Sequence, residues 1–169
     1  MSAVRAAVVD AEGRVHAAAR RELATTLGRG RAEHDPGEWL AGALAVAREA
    51  ARRAGGRIEA VGVGALGPAP LLVDADLEPL TPALLFALDR RAEEQRRALG
   101  VTHDHALPKL LWWQEHEPAT WRRAATALDA TGFLVARLTS SGRVDASLRI
   151  DHGGPDRAQA EIDPERPRW

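Results

Sequence analysis

The stretch "SAVRAAVVDAEGRVHAAARREL", residues 2–23, decides how the rest of the chain is read. "VRAAVVD" is an apolar-rich run, "AEG" is a turn that ends on glycine, and "RVHAAARREL" is a second run. Two such runs joined by a short glycine turn predict a β-hairpin almost at the first residue. An apolar strand in that position calls for a neighbour on each side. The hairpin supplies one neighbour, and the other has to come from elsewhere.

Downstream, "EHDPGEWLAGALAVAREAARRAGG" carries the signals of a helix from end to end. Asp35 suits the N-cap, Pro36 the first helical position, and Glu38 stands three residues after the cap. Trp39, Leu40, Ala43, Leu44, Ala47 and Ala51 follow a helical period, and Gly55–Gly56 close it. "IEAVGVGALGP" then reads as a short buried strand running into a glycine-rich loop. The order hairpin, helix, strand indicates an α/β fold with the helix as a crossover. "PLLVDADLEPLTPALLF" predicts two short strands around "DADLEP". "DRRAEEQRRALG" reads as a polar helix closed by Gly100, and "PKLLWWQEHEP" and "PATWRRAA" as helices opened by their prolines. "ATALDA" completes the list as a strand and "TGFLVARLTSS" as a helix. From about Leu148 the periodicity is lost, and a loosely ordered polar tail is expected over residues 148–169, with the folded domain at 1–147.

Composition excludes several classes of function. At 169 residues and 45% apolar content, the chain is long enough for one domain with a real core. A formal charge of −1 gives no electrostatic case for nucleic acid or an anionic membrane. The chain has no cysteine, which removes disulfides, thiol nucleophiles and cysteine–zinc sites. No apolar run approaches the roughly 18–20 residues of a membrane span, and no signal-peptide pattern opens the chain, so a cytoplasmic protein is expected. Lys109 is the only lysine, whereas 22 of the basic residues are arginine. A coding bias toward arginine that leaves a lysine by chance is the plain reading; an ammonium specifically wanted at position 109 is the other. "HDH" at His103–His105 lacks a third ligand at informative spacing and does not make a metal site. The arginine-rich segments are interleaved with acids and read as solvated helix faces.

Taken together, six segments resemble the N-terminal domain of the FGGY family of carbohydrate kinases, which phosphorylate sugars and polyols on an actin-like, ribonuclease-H-like fold. In family order they are "VRAAVVDAEGRVHAAARREL", "EHDPGEWL", "IEAVGVGALGP", "LLVDADLEPLTPALLFALDRRAEE", "LPKLLWWQEHEPATW" and "LDATGFLVARLTSSGRVDAS", over roughly residues 3–147. The resemblance implies a partial domain of mixed sheet with flanking helices. It also implies that a first strand, ending in a phosphate loop of the form D-x-G-T-x-S, precedes the hairpin and lies between it and "AVGVG". That strand is the missing neighbour, and Ser2 and Arg5 would be remnants of its loop. The family's catalytic aspartate and nucleotide-binding domain lie beyond the matched part. The resemblance therefore implies no ATP or magnesium site in this chain alone, and both in a completed enzyme.

Site residues follow from the same resemblance. "LDRRAEE" corresponds to a D-x-R-A segment near the sugar pocket, with Asp89 as acceptor for hydroxyl hydrogens and Arg91 holding it by a forked contact. Read without the family, Asp89 is a helix N-cap before a basic turn. Lys109 matches a lysine near the pocket. Trp112 and Trp113 are adjacent and leave their helix in different directions. Core packing is the plainer reading for both, and Trp112 is the one the resemblance sets beside the sugar. Asp145 in "RVDAS" falls where the family has an aspartate near the sugar, and a local turn acid is its plain alternative. "GVGALGP" departs from the family, because Gly64, Ala65 and Leu66 replace polar groups that donate to sugar hydroxyls. Three readings stay open: a truncated sugar-binding half-kinase, completed by another polypeptide or inactive; a non-catalytic α/β module that pairs with itself or a partner through exposed strand edges; and a decayed gene product.

Overall fold

In a computed structural model, residues 3–65, 67–101 and 106–139 are described. Ser2, Leu66, the His103–His105 pair, Asp145 and the tail from 148 lie outside them. The hairpin forms as expected, with β1 over Ala3–Val9 and β2 over Val15–Glu22, antiparallel, with Ala6 opposite Ala19. Asp10 holds its turn: Oδ1 accepts from the amides of Glu12 (3.1 Å) and Arg14 (2.8 Å). Gly13 takes φ +80°, a conformation that an L side chain disfavours. Two short strands, β3 (Thr26–Leu27) and β4 (Ala32–His34), precede the long helix α1 (Pro36–Ala54). The expected cap is in place, Asp35 Oδ1 accepting from the Gly37 amide at 2.8 Å, and Gly55 ends the helix at φ +66°.

Helix α1 lies across the hairpin. Val46 and Ala50 pack on Ala19, with Val4, Ala6 and Val8 beside them. The approach is closest at Gly42, where an added Cβ would stand 3.1 Å from Val4 Cγ2. Position 42 thus sets how near the helix sits to β1.

The remaining elements build the centre of the molecule: β5 (Leu71–Val73), β6 (Ala83–Leu84), α2 (Glu93–Ala98), α3 (Ala106–His116), α4 (Pro118–Arg123), β7 (Thr126–Leu128) and α5 (Ala130–Thr139). Strand β5 pairs with β7, and β4 pairs with both β3 and β6. All three residues of β5 are fully buried. Because side chains alternate along a strand, Leu71 and Val73 enter one apolar cluster with Leu128, Phe133 and Leu134. Leu72 points the other way, into a cluster of Leu84, Leu110, Trp112, Trp113 and Trp121. Between β5 and β6 the chain turns at Asp74, whose Oδ1 accepts from the amides of Asp76 and Glu78.

The α/β class stands, with every strand pair among the described residues antiparallel. One expected element does not form. Residues 57–65 hold no strand, and Ile58 and Val61 are 41% and 73% exposed. A strand needs a ladder partner, and β1 pairs only with β2, so no described strand runs beside this segment. Gly62 and Gly64 further weaken it. A smaller correction falls at α3, which starts at Ala106, two residues ahead of Pro108.

Candidate functional site

The Asp89–Arg91 segment leaves β6 through a turn in which the Asp89 amide donates to the Leu85 carbonyl at 3.2 Å. The Asp89 carboxylate is wholly enclosed. Its Oδ2 accepts from the Ala32 amide (2.9 Å) and from Arg91 Nη2 (2.8 Å), and its Oδ1 from the Arg91 amide and Nε. The aspartate therefore fastens β4 to the turn, and Arg91 completes the fastening with its fork.

Arg91 also reaches Glu33 Oε1 at 2.6 Å, and its guanidinium carbon stands 4.9 Å from the centroid of the Trp112 ring. Burial opposes the charge on Arg91, but Asp89 and Glu33 outweigh it and hold the guanidinium above the ordinary arginine range. The His116 ring, one turn along α3, stacks parallel to Trp112 with centroids 5.0 Å apart. With 9% of its surface exposed, Trp112 is packed within the core and presents no open face.

Lys109 is 1% exposed on α3. Its Nζ donates to the carbonyls of Leu85 (3.1 Å), Leu84 (3.4 Å) and Pro68 (3.4 Å). Three carbonyls around one point suit the tetrahedral donors of an ammonium, which a planar guanidinium does not match. The solitary lysine thus has a geometric reason. It shares the Leu85 oxygen with the Asp89 amide, so both are pinned to the end of β6.

Asp89, Arg91, Lys109 and Trp112 are accordingly one cluster, built where β4, β6 and α3 meet. Arg5 lies apart from it, on the exposed face of the hairpin opposite Arg20, beside an open cavity of about 590 Å³ whose lining includes Ala7, Ala18, Glu49 and Arg53. Ser2 and Asp145 lie outside the described residues. Sequence reasoning missed Glu33, which reaches Arg91 from β4 and is directly opposite Leu84 on β6. Only the pairing of two strands some fifty residues apart in sequence reveals it. Next to it, His34 accepts at Nδ1 from Trp39 Nε1 (2.9 Å), a group that can only donate. The proton of the neutral ring therefore sits on Nε2, facing Thr25 Oγ1 at 3.0 Å. Among the described residues no three His, Asp or Glu side chains converge as metal ligands.

Comparison with known proteins gives a consistent result. A family model described as the N-terminal domain of the FGGY family of carbohydrate kinases matches residues 1–100. The xylulose kinase of Streptomyces coelicolor is 33% identical over 160 residues, a match covering 83% of this chain and 32% of that protein. That of Streptomyces rubiginosus is 31% identical over the same length. The chain thus spans about a third of the length of the curated relatives it matches. Among solved structures, xylulose kinase from Rhodospirillum rubrum superposes with a TM-score of 0.81 at 25% identity, covering 98% of this chain and 40% of that one. Plasmodium falciparum glycerol kinase with ADP has the same fold at a TM-score of 0.69 and 17% identity.

Proposed function

The chain belongs to the FGGY family of carbohydrate kinases, and from that premise we propose that it carries part of the sugar-binding half of an enzyme that phosphorylates a ketose or polyol. What supports this reading is Arg91, which Asp89 and Glu33 hold against the Trp112 ring beside the end of β6 that Lys109 secures. On this reading they work largely at one remove. Asp89 and Lys109 have their contacts within the protein and hold the turn and the end of β6 in place. Glu33, whose side chain is 14% exposed, supplies the carboxylate that we assign as acceptor to a sugar hydroxyl, with Arg91 fixing its direction.

The whole reaction in the family is transfer of the γ-phosphoryl of ATP to a hydroxyl, with a metal ion neutralising phosphate charge. The described residues do not offer the convergent carboxylates a metal ion needs, so no step of the transfer is assigned to them.

A thermal melt of the purified chain in the presence of D-xylulose, other ketoses and polyols tests this. A midpoint raised by one sugar, and left unmoved by it in Glu33→Gln, supports the reading, because only a ligand of the native state raises the midpoint. A cooperative melt indifferent to every sugar overturns it.

A further inference from the structure

Strand β4 is three residues long, and its side chains alternate. Ala32 and His34 turn inward, at 1% and 8% exposure, and Glu33 leaves the opposite face toward Arg91. Glu33 therefore sits between two anchors. On one side, Asp89 Oδ2 holds the Ala32 amide at 2.9 Å. On the other, Trp39 of α1 holds His34, and it is packed in the same cluster as Ala32, Ala83 and Leu85. The two rings meet edge to face, with centroids 5.9 Å apart. This second anchor depends on a proton. An indole N–H only donates, so its bond to Nδ1 exists only while that nitrogen keeps a lone pair. A charged imidazole carries hydrogens on both nitrogens and sets two donors face to face across 2.9 Å. The bond is then lost and a buried indole donor is left unsatisfied, so the ring pair has to separate.

Resting on the reading of Glu33 as acceptor for a sugar hydroxyl, we propose that His34 is a positioning residue for that site. Its neutral ring, bonded to Trp39, aims Glu33, and a proton on Nδ1 releases β4 from α1 and weakens sugar binding. The Thr25 hydroxyl does not replace the lost bond, because it faces Nε2, which carries a hydrogen in both states. Of the charged groups around the ring, Glu38 on α1 favours the protonated form and the N-terminal amino group disfavours it. β6 presents Ala83 and the segment before β3 presents Thr25, neither of them charged. Burial outweighs Glu38 and pushes the pKa of His34 below the usual 6.5. The site is therefore fully aimed above that value, and the release sets in as the pH falls through the depressed one.

The experiment is titration calorimetry of the full chain with D-xylulose and the same ketoses and polyols, from about pH 8 to about pH 5. It compares the wild type with His34→Asn and Trp39→Phe. Asparagine places Oδ1 where Nδ1 stands, accepts from Trp39 and does not titrate; phenylalanine removes the donor. The wild-type dissociation constant is expected to stay level above the ordinary histidine range. Below the pKa of the folded ring it rises toward about tenfold per pH unit, the limit for one proton that must leave before binding. Both variants bind with flatter profiles, and the Trp39 indole N–H resonance shifts with the same midpoint as the His34 ring. Should Trp39→Phe fail to fold, His34→Asn still decides. A wild-type affinity that is level down to the lowest pH, or that falls equally in His34→Asn, overturns the positioning role alone. Absence of binding at every pH overturns the reading of Glu33, and the proposal with it.

Discussion

Lys109 holds three carbonyls from two separate segments with one buried ammonium. Lys109→Met keeps the length of the side chain but takes the ammonium from those oxygens, leaving Leu85 only the Asp89 amide, at a cost of about 3 kcal/mol measurable by urea unfolding. Lys109→Arg also destabilises, because the fork cannot meet all three oxygens. His34 gives a prediction in pH. Burial, the largest influence on it, pushes its pKa below the usual histidine value of 6.5. The unfolded chain therefore takes up this proton more readily than the folded one. The contribution of a neutral His34 is complete above about pH 6.5 and falls as the pH drops through that value toward the depressed one. The melting temperature of His34→Gln should accordingly vary less than that of the wild type on acidification below that value. Of these residues, composition drew attention to Lys109 and the family resemblance to Asp89 and Arg91, but neither gave the contacts they make. Glu33 and the His34–Trp39 bond were not, because they depend on which strand lies beside which.

Elements whose signals are local were read correctly from sequence. The hairpin needs only its own turn, α1 its own caps, and α4 its proline. Asp35→Ala removes the donor-satisfying oxygen at the start of α1 and should cost about 1 kcal/mol in a denaturant titration. Elements that depend on a distant partner were read less well. The run at 58–64 has the apolar content of a strand, yet without a ladder its backbone stays open and Val61 faces solvent. Strands β3 and β4 were missed for the converse reason: "TL" and "AEH" have little strand character and pair because β6 is there to receive them. The early start of α3 shows the same principle in a helix, since Pro108 is tolerated in a first turn whose amides need no intrahelical acceptor.

At the scale of the molecule, β5 joins the two apolar clusters by sending alternate side chains into each. Neither cluster can loosen without exposing the other, so amides of Leu71–Val73 should exchange with solvent only on global unfolding. Those of residues 57–65 should exchange at nearly the rate of a free peptide, and a hydrogen-exchange series reads both in one experiment. The buried, solitary lysine has a practical consequence as well. A protease that cleaves only after lysine finds one target bond in the entire chain, Lys109–Leu110, closed within α3. Every cut it makes is a count of molecules that have come open, and the appearance of two fragments becomes a clock for the native state's lifetime.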